Sequence, residues 1–194
     1  MGAIVALVLP ATAVAAGPQL LPTALRLGPD FELIGRGSFA HAHWSREAAL
    51  DGRFSVRAEV SEIGSEASVA GAQVRGVEGV TVGSLGNLGV AVLGPCTERS
   101  PRFAVLFDSN ADGVADGSGL YGCSGHPGVP PAPGWTSIRA DATAPDTVVI
   151  LQAGARFSAG ATVIEVFVLT DAAGITYFDR VEIAGVTLGE PGGR

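Results

Sequence analysis

The feature that most restricts what this chain can become is a period of two. Phe54, Val56, Ala58 and Val60 fall on one side of a run, and Ser55, Arg57 and Glu59 on the other. That is the alternation of a strand with one face buried and one in water. In a second run Ile164, Val166 and Val168 alternate with Glu165, Phe167 and Leu169, apolar on both sides, which predicts a central strand covered on both faces. Further short runs at 31–34, 69–77, 80–82, 89–93, 103–107, 135–140, 147–152 and 175–186 are separated by Gly, Asp, Asn, Ser and Pro. About ten antiparallel strands at this spacing predict an all-β sandwich. Helix signals are confined to 45–50, where Ser45 can cap one turn.

Composition agrees with sheets. Hydrophobic residues make up 47% of the 194 positions but aromatics only 6%, so the core must be built from Val, Ala and other small aliphatic side chains. The length favours one domain. Every cationic side chain is Arg, which removes Schiff-base and lysine-nucleophile chemistry. A formal charge of −7 with no basic stripe leaves nucleic-acid binding without its usual source of affinity.

Ala3 to Leu9 is a short apolar run, followed by Pro10 and the small-x-small triplet Ala13-Val14-Ala15. Residues 1–16 therefore read as a secretory leader, although no Arg or Lys precedes the run. The run is too short and too broken for a membrane span, and the mature product is expected to be extracellular with no membrane insertion. Residues 17–30, with three prolines, read as an extended linker, 31–189 as the sandwich, and 190–194 as a tail. In an exported chain the two cysteines, Cys96 and Cys123, 27 positions apart, are expected to form a disulfide. In a cytosolic protein they would instead be two buried thiols.

The sharpest local motif is Asp108-Ser109-Asn110-Ala111-Asp112-Gly113-Val114-Ala115-Asp116. Oxygen donors at Asp108, Asn110, Asp112 and Asp116, the Val114 carbonyl and a Gly at position six match the front of a calcium loop of the EF-hand type. Position twelve is Gly119, so the bidentate Glu is missing and a remote acid or water must complete the shell. Asp, Asn and Gly are also what an ordinary hairpin turn uses, and the spacing fits either a structural calcium or a plain turn. His41 and His43 share one face of a strand, with Trp44 on the other. Paired imidazoles can hold zinc, but spacing supplies no third ligand, and a solvent-facing pair is the simpler reading. His126, in the proline-rich stretch 125–134, is expected to be exposed. Trp135 is expected to fill core, and Tyr121, beside the acidic loop, is the candidate for ligand contact. No nucleophile elbow, His-Glu-x-x-His or phosphate loop is present. Glu32, Glu59, Glu165 and Glu182 are the formal glycosidase candidates, of which Glu165 and Glu182 fit better as outward strand residues.

The run Ile175-Thr176-Tyr177-Phe178-Asp179-Arg180-Val181-Glu182-Ile183-Ala184-Gly185-Val186 resembles the closing strand of jelly-roll modules similar to bacterial carbohydrate-binding modules. The block from Cys96 through Ser100-Pro101-Arg102-Phe103 to Cys123, followed by Gly134-Trp135-Thr136-Ser137-Ile138, resembles exported bacterial domains with a bridged hairpin and such a last strand. The resemblance covers the second half of the chain. It implies a jelly-roll sandwich and a non-catalytic extracellular module for a glycan or cell-wall polymer. The alternative is a structural or adhesive surface domain that self-associates or docks to another extracellular protein.

Overall fold

The computed structural model describes residues 17–27, 33–36, 39–50, 52–61, 68–97 and 100–188. The expected leader (1–16) and tail (190–194) lie outside them. Among the described residues thirteen strands run in order: β1 (Gln19–Leu27), β2 (Leu33–Arg36), β3 (Ala40–Ser45), β4 (Ser55–Val60), β5 (Ser68–Arg75), β6 (Asn87–Leu93), β7 (Arg102–Asp108), β8 (Gly117–Gly122), β9 (Thr136–Asp141), β10 (Thr147–Ile150), β11 (Thr162–Thr170), β12 (Gly174–Ile183) and β13 (Val186–Leu188). They form a seven-stranded sheet, β10-β8-β7-β11-β5-β1-β2, and a six-stranded path, β3-β4-β12-β6-β9 with β13 beside β12. Every pairing is antiparallel. The expected jelly-roll sandwich is present. No helix among the described residues is long and apolar enough to cross a membrane.

The alternation read from the sequence decides what each face buries. Val56, Ala58 and Val60 of β4 enter the core between the sheets with Phe103, Phe107, Phe178, Ile138 and Ile183. Strand β11 lies between β7 and β5, as its two apolar faces predict. Its Val166 and Val168 belong to the main core, while Phe167 and Leu169 join Val69 and Ala104 in a second cluster. A register shift between Val163 and Glu165 puts the strand's two ends in different phase.

Three expectations are corrected. The stretch 17–30 is not a linker up to Phe31, because β1 pairs with β5 from Gln19 to Arg26. Strand β2 covers the other edge of β1 only from Leu25 onward, so Pro22 sits where its missing N–H breaks no ladder. The 45–50 segment forms no helix, since side chains capture its backbone groups. Ser45 Oγ accepts from Glu47 N at 3.1 Å, Ser55 Oγ donates to Ala48 O, and Asp179 Oδ2 accepts from Leu50 N at 2.7 Å. The 80–82 strand is reduced to an isolated antiparallel bridge, Thr81 opposite Thr162, after which the chain enters a 3-10 turn, Val82–Leu85, that buries Val82 and Leu85.

Cys96 and Cys123 are bridged, with Cα atoms 5.8 Å apart. The bond ties the lead-in of β7 to the end of β8 and so closes the base of the hairpin that carries the acidic loop. Closing a loop of this size stabilises by about 3 kcal/mol, chiefly by restricting the unfolded chain.

Candidate functional site

The acidic loop joins β7 to β8, and its two end carboxylates turn inward: Asp108 is 2% and Asp116 1% exposed. Asp108 Oδ1 accepts from Asn110 N (2.9 Å) and Ala111 N (2.7 Å), and Oδ2 from Gly113 N (2.7 Å). Asp116 Oδ2 accepts from Ser109 N (2.7 Å) and Ser109 Oγ (2.6 Å). At the tip Asn110 Oδ1 takes Asp112 N, and Asp112 Oδ1 takes Val114 N. Gly113 has φ 84°, the left-handed geometry that the turn requires. Burial pushes the Asp108 carboxyl up, but the backbone N–H groups of Gly113, Asn110, Ala111 and Asp112 outweigh it and hold it below the ordinary value. This contribution to stability is present above the usual carboxylate range and is lost as pH falls through the depressed value. No group of three or more His, Cys, Asp or Glu side chains is gathered as a metal cage among the described residues. Gly119, at loop position twelve, lies within β8.

Tyr121 is not a surface residue. It is 0% exposed, its hydroxyl donates to Ala142 O, and burial followed by the nearby Asp141 charge raises its pKa. His126 is half-buried rather than exposed, its Nε2 3.1 Å from Asp146 Oδ1 and its ring 5.9 Å from that of Tyr121. Trp135 is buried as expected. The formal glycosidase acids are dispersed: Glu59 lies on β4, Glu182 on β12 paired to Arg139, and Glu165 half-buried on β11 of the other sheet. Glu32 falls outside the described residues. Burial raises the pKa of Glu165.

One opening large enough for a ligand lies along β3, an edge strand among the described residues. A groove of about 770 Å³ is walled by residues 22–25 of β1 on one side, and by Ala40–His43 of β3 with Arg57 and Glu59 of β4 on the other. Cross-strand register explains the second wall, because His41 stands opposite Glu59 and His43 opposite Arg57. Arg57 is held by charge: its guanidinium NH1 donates to Glu59 Oε2 at 2.6 Å and its Nε lies 3.3 Å from Glu47 Oε2. Tyr177 Oη donates to the same Glu47 oxygen at 2.7 Å. The Glu59 hydrogen bond leads in raising the Arg57 pKa, and the Glu47 bond leads in raising that of Tyr177. Ser61 N donates to Phe39 O at 2.8 Å, continuing the β3–β4 ladder by one step. The period of two then sets Phe39, 38% exposed, on the side of His41 and His43.

The site thus sets residues 22–25 of β1 beside a row of planar donors and acceptors. Such a row offers hydrogen-bond donors and acceptors side by side. The sequence indicated His41 and His43 as a pair and Glu59 only as a formal glycosidase acid, and it did not indicate Arg57 or β1. Their outward parity was legible, whereas the strand beside which they would lie was not.

No family model and no curated protein matches the chain. In three dimensions it is similar to carbohydrate-binding modules. A family 30 module aligns with TM-score 0.46 and 15% identity over 86% of this chain and 97% of that one. The family 11 module from Clostridium thermocellum, in complex with a beta-1,3-1,4-mixed-linked tetrasaccharide, aligns with TM-score 0.47 and 11% identity over 91% and 99%. A xylan-binding domain of family 22 aligns with TM-score 0.38 and 16% identity over 85% and 88%.

Proposed function

We propose that this protein is an extracellular, non-catalytic binding module for a polysaccharide, a glycan or cell-wall polymer, and that the β1–β3 groove is its site. The observation that carries the reading is the groove wall itself. Arg57 is fixed between two carboxylates beside two exposed imidazoles, and Phe39, 38% exposed, precedes β3 just outside the groove lining. Guanidinium and carboxylate side by side offer donor and acceptor to neighbouring hydroxyls of a sugar ring, and Phe39 offers its face. A disulfide-braced hairpin suits an oxidising exterior. Glycan arrays of wall and plant polysaccharides should show binding that Phe39→Ala and His43→Ala each weaken by about twofold to tenfold, since a lost stacking or hydrogen-bond contact costs about 0.5–1.5 kcal/mol. Silence across the array, or equal binding by both variants, would count against the groove.

Calcium on the acidic loop is a separate part of the proposal and is structural. At the loop tip Asn110 Oδ1 and Asp112 Oδ1 each accept one backbone N–H, which leaves lone pairs on exposed residues for a weak site of about 10⁻⁴ to 10⁻³ M. Asp112→Ala is expected to lower the melting temperature in calcium and to change it little in chelator. Equal losses in both would identify an ordinary turn.

A second reading, an adhesive or self-associating surface domain that docks to copies or to another surface protein, is favoured by β10. This strand pairs only with β8 among the described residues and exposes Val148 and Ile150, with Leu151 just beyond. A free apolar edge is a template for strand addition. Light scattering that shows concentration-dependent oligomers, dispersed by Ile150→Lys, supports it. A strict monomer at all concentrations removes it.

A further inference from the structure

The edge strand β3 carries a second chemistry that polysaccharide binding does not require. His41 and His43 are two residues apart on one face, both exposed, with only Ala42 between them. Positions i and i+2 of a strand lie roughly 6.5–7 Å apart, close enough for two imidazole nitrogens to share one ion at about 2.0–2.1 Å from each. What the sequence lacked was a third ligand, and the register supplies it. Glu59 is the residue of β4 directly opposite His41, and directly opposed side chains have Cβ atoms about 4.5–5.5 Å apart. All three line the same groove.

As placed, Glu59 is turned to Arg57, so the set is open and no three such side chains are gathered among the described residues. Closing it takes a rotation of a side chain that is 44% exposed. The guanidinium would not be stranded, because Glu47 remains 3.3 Å from Arg57 Nε. From this juxtaposition we infer that His41, His43 and Glu59 form a transition-metal site of the His₂Glu type, suited to zinc, with Glu59 exchanging Arg57 for the ion. Two neutral imidazoles and one carboxylate leave a fourth tetrahedral position, which opens into the groove and takes a water. Zinc would bind whether or not a glycan does, so the two properties fail separately.

The chain contains three histidines, and the third, His126, lies beside Asp146 and Tyr121 in another part of the fold, so background binding is low. The test is zinc titration by calorimetry on the full-length protein free of any histidine tag, followed by cobalt(II) substitution read by visible absorption. The expected result is one zinc per chain, with affinity reduced at least about tenfold in His41→Ala, in His43→Ala and in Glu59→Gln, and an intense tetrahedral cobalt band that both histidine variants lose. Circular dichroism of the three surface variants should match wild type, which separates ligand loss from unfolding. Absence of zinc binding, zinc binding unchanged by either histidine variant, or a weak octahedral cobalt spectrum would overturn the site.

Discussion

Gly71→Ala should cost this domain more than about 3 kcal/mol, the range reserved for forced displacement of packed backbone. Strand β5 lies in mid-sheet between β1 and β11, and at Gly71 a Cβ would stand 1.9 Å from Val168 O and 2.9 Å from its carbonyl carbon. No rotamer relieves that contact, since both atoms are main chain. Relief requires β5 and β11 to separate, which breaks the ladder joining them from Val166 to Thr170 and disturbs the core on one side and the Val69–Phe167 cluster on the other. Gly79→Ala is the control. Gly79 has φ 82° and nothing within 4 Å of the added carbon, so its cost is the left-handed backbone alone, about 1–2 kcal/mol. Urea unfolding of both variants gives the comparison. Similar losses at the two positions would mean that β5 and β11 do not approach as closely as described.

The second large effect is at Tyr121. The side chain fills core beside Phe103 and Phe107, and its hydroxyl satisfies the carbonyl of buried Ala142. Tyr121→Ala should lose about 3–5 kcal/mol by leaving a cavity. Tyr121→Phe keeps the ring but strands a buried acceptor, at about 1–3 kcal/mol. The same burial makes a pH prediction. The neutral phenol is preferred in the fold, so its folded pKa stands above the unfolded value of 10.0. Its stabilising contribution is therefore complete below about pH 10 and is lost as pH rises through the folded value. Denaturation melts from pH 8 to 12 should show wild type losing stability more steeply than Tyr121→Phe. Parallel curves, or a Phe variant as stable as wild type, would place the hydroxyl in water.

These two positions also show where sequence reasoning reaches and where it stops. Alternation is a local signal, so β4 and β11 were legible with their buried faces, as was the central place of β11. Cysteine number and context gave the bridge. Strand β1 was hidden because prolines normally mark loops, and Pro22 is tolerated where one edge of the strand has no partner among the described residues, a fact about partners and not about residues 17–30. Tyr121 looked like a loop residue from its neighbours in sequence. The structure shows it continuing the face of Gly117 and Gly119, where absent side chains make room for Phe107 and Phe157. The groove was half legible: His41 and His43 stood out as a pair, but Glu59 and Arg57 reach them through a register that no local pattern encodes.

Backbone amide chemical-shift mapping on isotope-labelled protein, with cellohexaose, xylohexaose and a mixed-linkage glucan oligosaccharide added in turn, tests the binding reading most directly. Perturbations should concentrate at residues 23–25, 39–43, 57 and 59 and vanish in Arg57→Ala, a change checked for retained fold by the unperturbed β7–β8 resonances. Shifts confined to the acidic hairpin or to β10 and β11, or none with any of the three at millimolar concentration, would contradict it.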